Sequence, residues 1–116
     1  MNSLEITNLV VRALASKKAQ DIVILDLHGL TVIADYFVIA TGSSSSNSRA
    51  LVDAVTEAAK KSGQKRIHTE GGGDATWVLV DLGDIIVHVF DAEHRDFYQL
   101  ERLWADATRV PVTEEA

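Results

Sequence analysis

The sequence predicts an α/β fold: one domain, a mixed β-sheet of about five strands, and flanking helices in the order αββαβββα. Three observations lead there. A chain of 116 residues has the size of one domain. Hydrophobic residues make up 47% of it, enough for one modest core. Apolar spacing alternates along the chain between the helical period and the strand period.

The first helix is expected over 3–16, where Ile6, Leu9, Val10, Ala13 and Leu14 recur on one stripe. Asn2 or Ser3 can cap it, and Lys17 and Lys18 suit its negative end. "DIVILDL" (21–27) reads as a strand, and His28-Gly29 as a turn. "DYFVIAT" (35–41) is almost wholly apolar, the signature of a central strand covered on both faces. A second helix is expected over 47–62, stopped by Gly63, followed by a strand at "KRIHTE" (65–70) and a loop at "GGGD" (71–74).

"ATWVLVDLGDIIVHVF" (75–90) reads as a hairpin with Leu82-Gly83 as its two-residue loop, which would oppose Trp77 to His88 and Val80 to Ile85. Val78, Val80, Ile85 and Val87 then share an aliphatic, core-directed face. Trp77, Leu79, Asp81, Asp84, Ile86 and His88 share the other, to be covered by a helix or open to a partner. The last helix is expected at about 94–106, with Phe97, Leu100, Leu103, Trp104 and Ala107 as its stripe and Tyr98 and Glu101 together on one flank. The domain is expected to run over 1–107, with 108–116 a loose tail containing the one proline.

Net charge is −6, unevenly spread. Residues 1–69 carry 6 acids and 8 bases, while residues 70–116 carry 11 acids and 3 arginines. An acidic half repels phosphate backbones and attracts basic partners, so little or no direct nucleic-acid binding is expected. With no cysteine there is neither a disulfide nor a thiolate metal site. No stretch has the length to span a bilayer, and the N-terminal residues lack the pattern of a signal peptide. The expectation is a soluble, cytoplasmic protein with no membrane partner.

"ATGSSSSNSRA" (40–50) invites a phosphate-cradle reading, but it lacks the second glycine and the Lys-Ser/Thr of a P-loop, and the three glycines of a dinucleotide fingerprint. A nucleotidyltransferase pairs a Gly-Ser turn with two carboxylates one residue apart. Here Asp53 follows Gly42-Ser43, but position 55 is Val and Asp53 falls within a helix. Serines before a helix more commonly cap it. His28, His68, His88 and His94 have no metal-ligand spacing, so neither metal nor cofactor is expected, and His88 is expected to stack on Trp77 or bond across the sheet. No GxSxG elbow occurs. What remains is a set of aromatics among acids, the composition of a surface for a Lys- and Arg-rich protein.

At these residues the chain resembles the ribosomal silencing factor S family, also called the Iojap family. "ADYFVIATGSS", Glu70-Gly71, "WVLVDLGDIIVHVF" and "RDFYQLERLW" carry the resemblance in order and spacing, over about residues 5 to 107. It implies an α/β fold related to nucleotidyltransferases without their catalytic carboxylates, and so a protein that is not an enzyme. It implies binding to the large ribosomal subunit through large-subunit ribosomal protein fourteen. The bound factor would keep the small subunit from docking and lower translation when nutrients are scarce. It also implies a homodimer, and for organelle relatives a part in ribosome assembly. The residues expected to make the contact are Trp77, Leu79, Asp81, Asp84, His88, Arg95, Tyr98, Glu101 and Trp104. The alternatives are a large-subunit assembly factor, or a nucleotide-binding enzyme using Gly42 to Ser46.

Overall fold

The computed structural model describes residues 2–71, 77–91 and 107–112. Among these residues two helices, α1 (Ser3–Ser16) and α2 (Ser45–Lys61), lie with six strands: β1 (Gln20–Asp26), β2 (Tyr36–Gly42), β3 (His68–Glu70), β4 (Trp77–Asp81), β5 (Ile85–Asp91) and β6 (Thr108–Val110). They form one sheet in the order β3-β4-β5-β2-β1-β6. β2 and β5 are parallel, and every other pair is antiparallel. The sheet is therefore mixed, as expected, with six strands instead of five.

The sixth strand replaces the loose tail expected from 108 onward with paired structure at 108–110; residues 113–116 lie outside the described residues. Thr108, Arg109 and Val110 pair with Asp26, Leu25 and Ile24 of β1. Three residues are too few for alternation to register, but Thr and Val suit a pleated strand and the proline follows only at Pro111. Pairing here satisfies β1's outer backbone groups, which an open edge would leave to water.

α1 begins with a capping box: Asn2 Oδ1 accepts from Glu5 N (2.9 Å) while Asn2 N donates to Glu5 Oε1 (3.4 Å). Its buried stripe is Thr7, Val10, Val11 and Leu14, turned slightly from the one expected, with Ile6, Leu9 and Ala13 only half-buried beside it. Thr7 can be buried because its hydroxyl donates to Ser3 O four residues back (2.8 Å). α2 buries Ser48, Leu51, Val55 and Ala59, again one stripe. Both helices cover the same sheet face. That core joins Val10, Leu14, Leu51 and Val55 to Ile24, Val38, Val80, Ile85, Val87 and Val89.

The opposite face carries a second cluster: Leu25, Leu27, Ala34, Phe37, Ile39, Ile86 and Phe90, edged by Trp77 and Leu79. β2 contributes to both clusters, and all seven of its residues are buried. Its apolar run, without alternation, is the mark of that central place.

The hairpin register differs from expectation by two residues. Trp77 opposes Phe90, Leu79 opposes His88 and Val80 opposes Val87. The loop is Gly83-Asp84, closed by Leu82 N donating to Ile85 O (2.9 Å). Gly83 has φ +91°, which places the glycine first, as in a type II′ turn. Leu82 is buried and completes the aliphatic face with Ile85. A slip of two keeps every side chain on its predicted face. Val78, Val80, Ile85 and Val87 thus face the helices as expected.

At the far end of β2, a Cβ on Gly42 would lie 2.2 Å from Ser48 Oγ and 3.0 Å from the Ser48 backbone. The start of α2 rests directly on that glycine. Gly42→Ala should cost at least about 1 kcal/mol through forced displacement of the helix start, read as a lower midpoint in urea unfolding. An unchanged midpoint would show that the contact relaxes freely.

Candidate functional site

The serine run caps a helix. Ser44 Oγ accepts from Asn47 N (3.0 Å) and Asn47 Oδ1 accepts from Ser43 N (2.9 Å). Asn47 Nδ2 also donates to Lys17 O (2.9 Å), tying the start of α2 to the end of α1. These bonds occupy groups that a phosphate cradle would present to its ligand. Asp53 stands exposed within α2, as its helical position predicts. Among the described residues no three His, Asp or Glu side chains gather into a metal-holding group.

The aromatic-acidic face is built on β4, whose alternation puts Trp77, Leu79 and Asp81 on the side away from the helices, each half-buried. β3 extends this face. His68 opposes Asp81 and Glu70 opposes Leu79, so their side chains share it, and both are exposed. His68 Nε2 lies 3.1 Å from Glu70 Oε1. Glu70, Gly71, Trp77 and Leu79 line a shallow hollow of about 250 Å³. Sequence reading did not include His68 or Glu70 in the site. The available signal was the period of two in "KRIHTE", which puts both on one side of a strand beside β4.

Behind Trp77 stands a row of rings. Trp77 stacks on Phe90 (centroids 5.2 Å apart, 27° between planes), and His88 packs edge-on against Phe37 at 4.7 Å. The indole Nε1 donates to His88 Nδ1 (3.0 Å), the cross-sheet bond expected of this histidine, made diagonally because the register is shifted. A ring accepting at Nδ1 carries its own proton on Nε2, and that atom is buried with no hydrogen-bond partner among the described residues. Burial without a counter-charge pushes the His88 pKa down to about 4. His88 is only 3% exposed. It reaches the surface only through the indole that it orients.

Asp81 and Asp84 lie at the β4–β5 turn. Asp81 Oδ1 accepts from Gly83 N (2.8 Å), and Asp84 is exposed. The structure therefore brings Trp77, Leu79 and Asp81 into one row, with Asp84 at its end and His88 beneath. Arg95, Tyr98, Glu101 and Trp104, with the helix expected at 94–106, lie outside the described residues.

The family model described as "Ribosomal silencing factor during starvation" matches residues 1–116. The chain belongs to the ribosomal silencing factor family. It is 41% identical over 107 residues to the ribosomal silencing factor RsfS of Bacillus subtilis, covering 92% of this chain and 91% of that one. It is 32% identical over 104 residues to the chloroplastic protein Iojap of Zea mays, covering 87% of this chain and 44% of that longer one. A crystal structure of a Chromobacterium violaceum protein superposes with a TM-score of 0.87 at 36% identity, covering all of this chain and 95% of that one. One from Bacillus halodurans gives 0.83 at 36%, covering 95% of this chain and all of that one. The resemblance carried by "ADYFVIATGSS" and "WVLVDLGDIIVHVF" thus named the right family.

Proposed function

We propose that this protein is a translational repressor that binds the large ribosomal subunit and keeps the small subunit from joining it. It acts by occupying a surface and catalyses no reaction. Its target is a basic protein of that subunit, large-subunit ribosomal protein fourteen. Trp77 and Leu79 supply the apolar anchor, and Asp81, Asp84 and Glu70 supply charge to meet lysines and arginines. Arg95, Tyr98, Glu101 and Trp104 belong to the same proposed contact. The working protein is a cytoplasmic homodimer.

The observation that carries this reading is the half-buried Trp77–Leu79 pair, set over a buried aromatic row and flanked by carboxylates on a family-matched fold. A rigid aromatic with its N–H already satisfied offers a ring and edge at little entropic cost. The charge distribution agrees: an acidic factor approaches an RNA-rich particle most readily at an exposed basic protein. None of the described helices is long and apolar enough to cross a membrane.

The test is sedimentation with separated subunits, then with both under joining conditions. The protein should travel with the large subunit and reduce joined ribosomes in proportion to dose. Remaining at the top of the gradient would overturn the proposal. Accumulation of immature large subunits on deletion, with joining unaffected, would assign it to assembly instead.

A further inference from the structure

Three large hydrophobic side chains stand in water on one loop. Between β1 and β2, Leu30 is 44% exposed, Ile33 62%, and Val32 104%, as open as in an extended peptide. The other exposed large hydrophobic among the described residues is Leu4, alone on α1. Single exposed apolar residues are ordinary, whereas three within four positions form a patch.

The loop is held in shape. Leu27 N donates to Asp35 O (2.8 Å) across its base, and Asp35 N donates to Asp84 O (2.7 Å) in the hairpin turn. Leu30 N returns to Leu27 O (3.0 Å), and Ile33 N donates to Thr31 Oγ1 (3.1 Å). His28 spans the base, with Nδ1 2.6 Å from Asp26 Oδ1 and Nε2 3.5 Å from Asp35 Oδ1. The patch is displayed by a built loop, so little ordering entropy is lost when it docks.

Topology places this loop beside the site already described. β2 and β5 are parallel and start together, Tyr36 opposite Ile85, so the loop and the Gly83-Asp84 turn share one end of the sheet. Asp81 and Asp84 are at that end, with Asp26 and Asp35 at the loop's base. Lys65 and Arg66 precede β3 at this same end, because His68 pairs with Asp81 and Gln64 Nε2 donates to Leu82 O, but β4 and β5 stand between them and the loop.

We infer that the β1–β2 loop is a second contact with a basic protein partner: Leu30, Val32 and Ile33 enter an apolar hollow whose rim lysines or arginines meet Asp35 and Asp84. The identity of that partner as a protein of the large subunit rests on the function proposed above. Two arguments favour this occupant over a second copy of the chain. A two-fold contact through the loop would set Asp26, Asp35 and Asp84 against their own counterparts. Three aliphatic side chains also fall well short of the roughly 800 Å² per partner that a stable interface needs, which fits a supplementary contact joined to a larger one. An anionic membrane surface would meet the same carboxylates and be repelled.

The experiment uses the full chain with purified large subunits and compares the parent protein, the Val32→Ser/Ile33→Ser double variant, and the Asp35→Asn/Asp84→Asn pair. Both serine positions are exposed, so the double variant should keep the parent's melting temperature and oligomeric mass. It should bind large subunits about tenfold more weakly, the equivalent of about 1.4 kcal/mol. The Asp pair should lose part of the salt dependence of binding. If the parent does not bind large subunits, the proposed function fails and this inference with it. If the parent binds and the serine variant binds equally, only the inference fails. If the serine variant changes oligomeric mass while binding subunits equally, the loop belongs to a second copy. If it loses binding to anionic vesicles but keeps binding to subunits, the loop belongs to a membrane surface. Either result overturns the proposal.

Discussion

Trp77→Ala should stay at the top of a gradient at concentrations where the parent protein sediments with large subunits. Truncating a central aromatic anchor costs about 2 kcal/mol or more, roughly 30-fold in affinity. The substitution also removes the stack on Phe90 and the hydrogen bond to His88, so folding must be separated from binding. Trp77→Phe does this. It keeps a six-membered ring over Phe90 and gives up the rest of the indole with its N–H, which points inward to His88. The phenylalanine variant should bind within a few-fold of the parent while the alanine variant does not. If Trp77→Ala melts like the parent and still binds like it, the face on β4 is not the contact.

Acid should weaken the fold through His88. Its pKa lies at about 4 in the folded chain, against an ordinary 6.5. As pH falls below 6.5, the unfolded chain takes up a proton that the folded chain refuses. The stability from burying the neutral ring is therefore complete above pH 6.5 and lost as pH falls toward 4. Below 4 both states are protonated and the loss levels off. The full span amounts to about 3 kcal/mol. In the folded chain Nδ1 takes its proton only near pH 4 and below, and there it also stops serving as acceptor for the Trp77 indole. Urea unfolding at pH 7 and pH 4.5 should show the drop. His88→Gln, which does not titrate, should flatten it relative to the parent. His28 titrates in the opposite sense, its pKa raised by the hydrogen bond to Asp26, and it is present in both proteins. Equal slopes in parent and variant would exclude His88 as the responsible group.

The elements with many residues per period were legible in the sequence. α1, the buried run of β2 and the aliphatic face of the hairpin each repeat their pattern often enough to identify themselves. β6 has three residues and gains its stability from β1, a partner more than eighty positions away, so no local pattern announces it. The hairpin turn was misread by one residue because both readings are parity-equivalent. Glycine's need for the first loop position and the burial of Leu82 decide between them. At the site, Trp77, Leu79 and Asp81 could be grouped because one strand carries them. His68 and Glu70 arrive from β3 by pairing, and local spacing does not encode that. His88 was legible as Trp77's bonding partner. Its depth was not, because a histidine gives no sign in sequence of whether it lies under or on a sheet. The exposure of Leu30, Val32 and Ile33 was equally invisible, since apolar residues between two strands read as continuations of either one.

The parity of the hairpin has a consequence for how this chain tolerates changes in length. A strand tip lengthened or shortened by an even number of residues slides along its neighbour and keeps each side chain in its own compartment. A single-residue insertion between Asp81 and Ile85 that repaired itself by slippage would drive Trp77 toward the helices and Val78 and Val80 onto the opposite face. Natural variation in this turn should therefore come in twos, with single insertions confined to connections long enough to absorb a residue without moving the strands, such as the one joining β1 to β2.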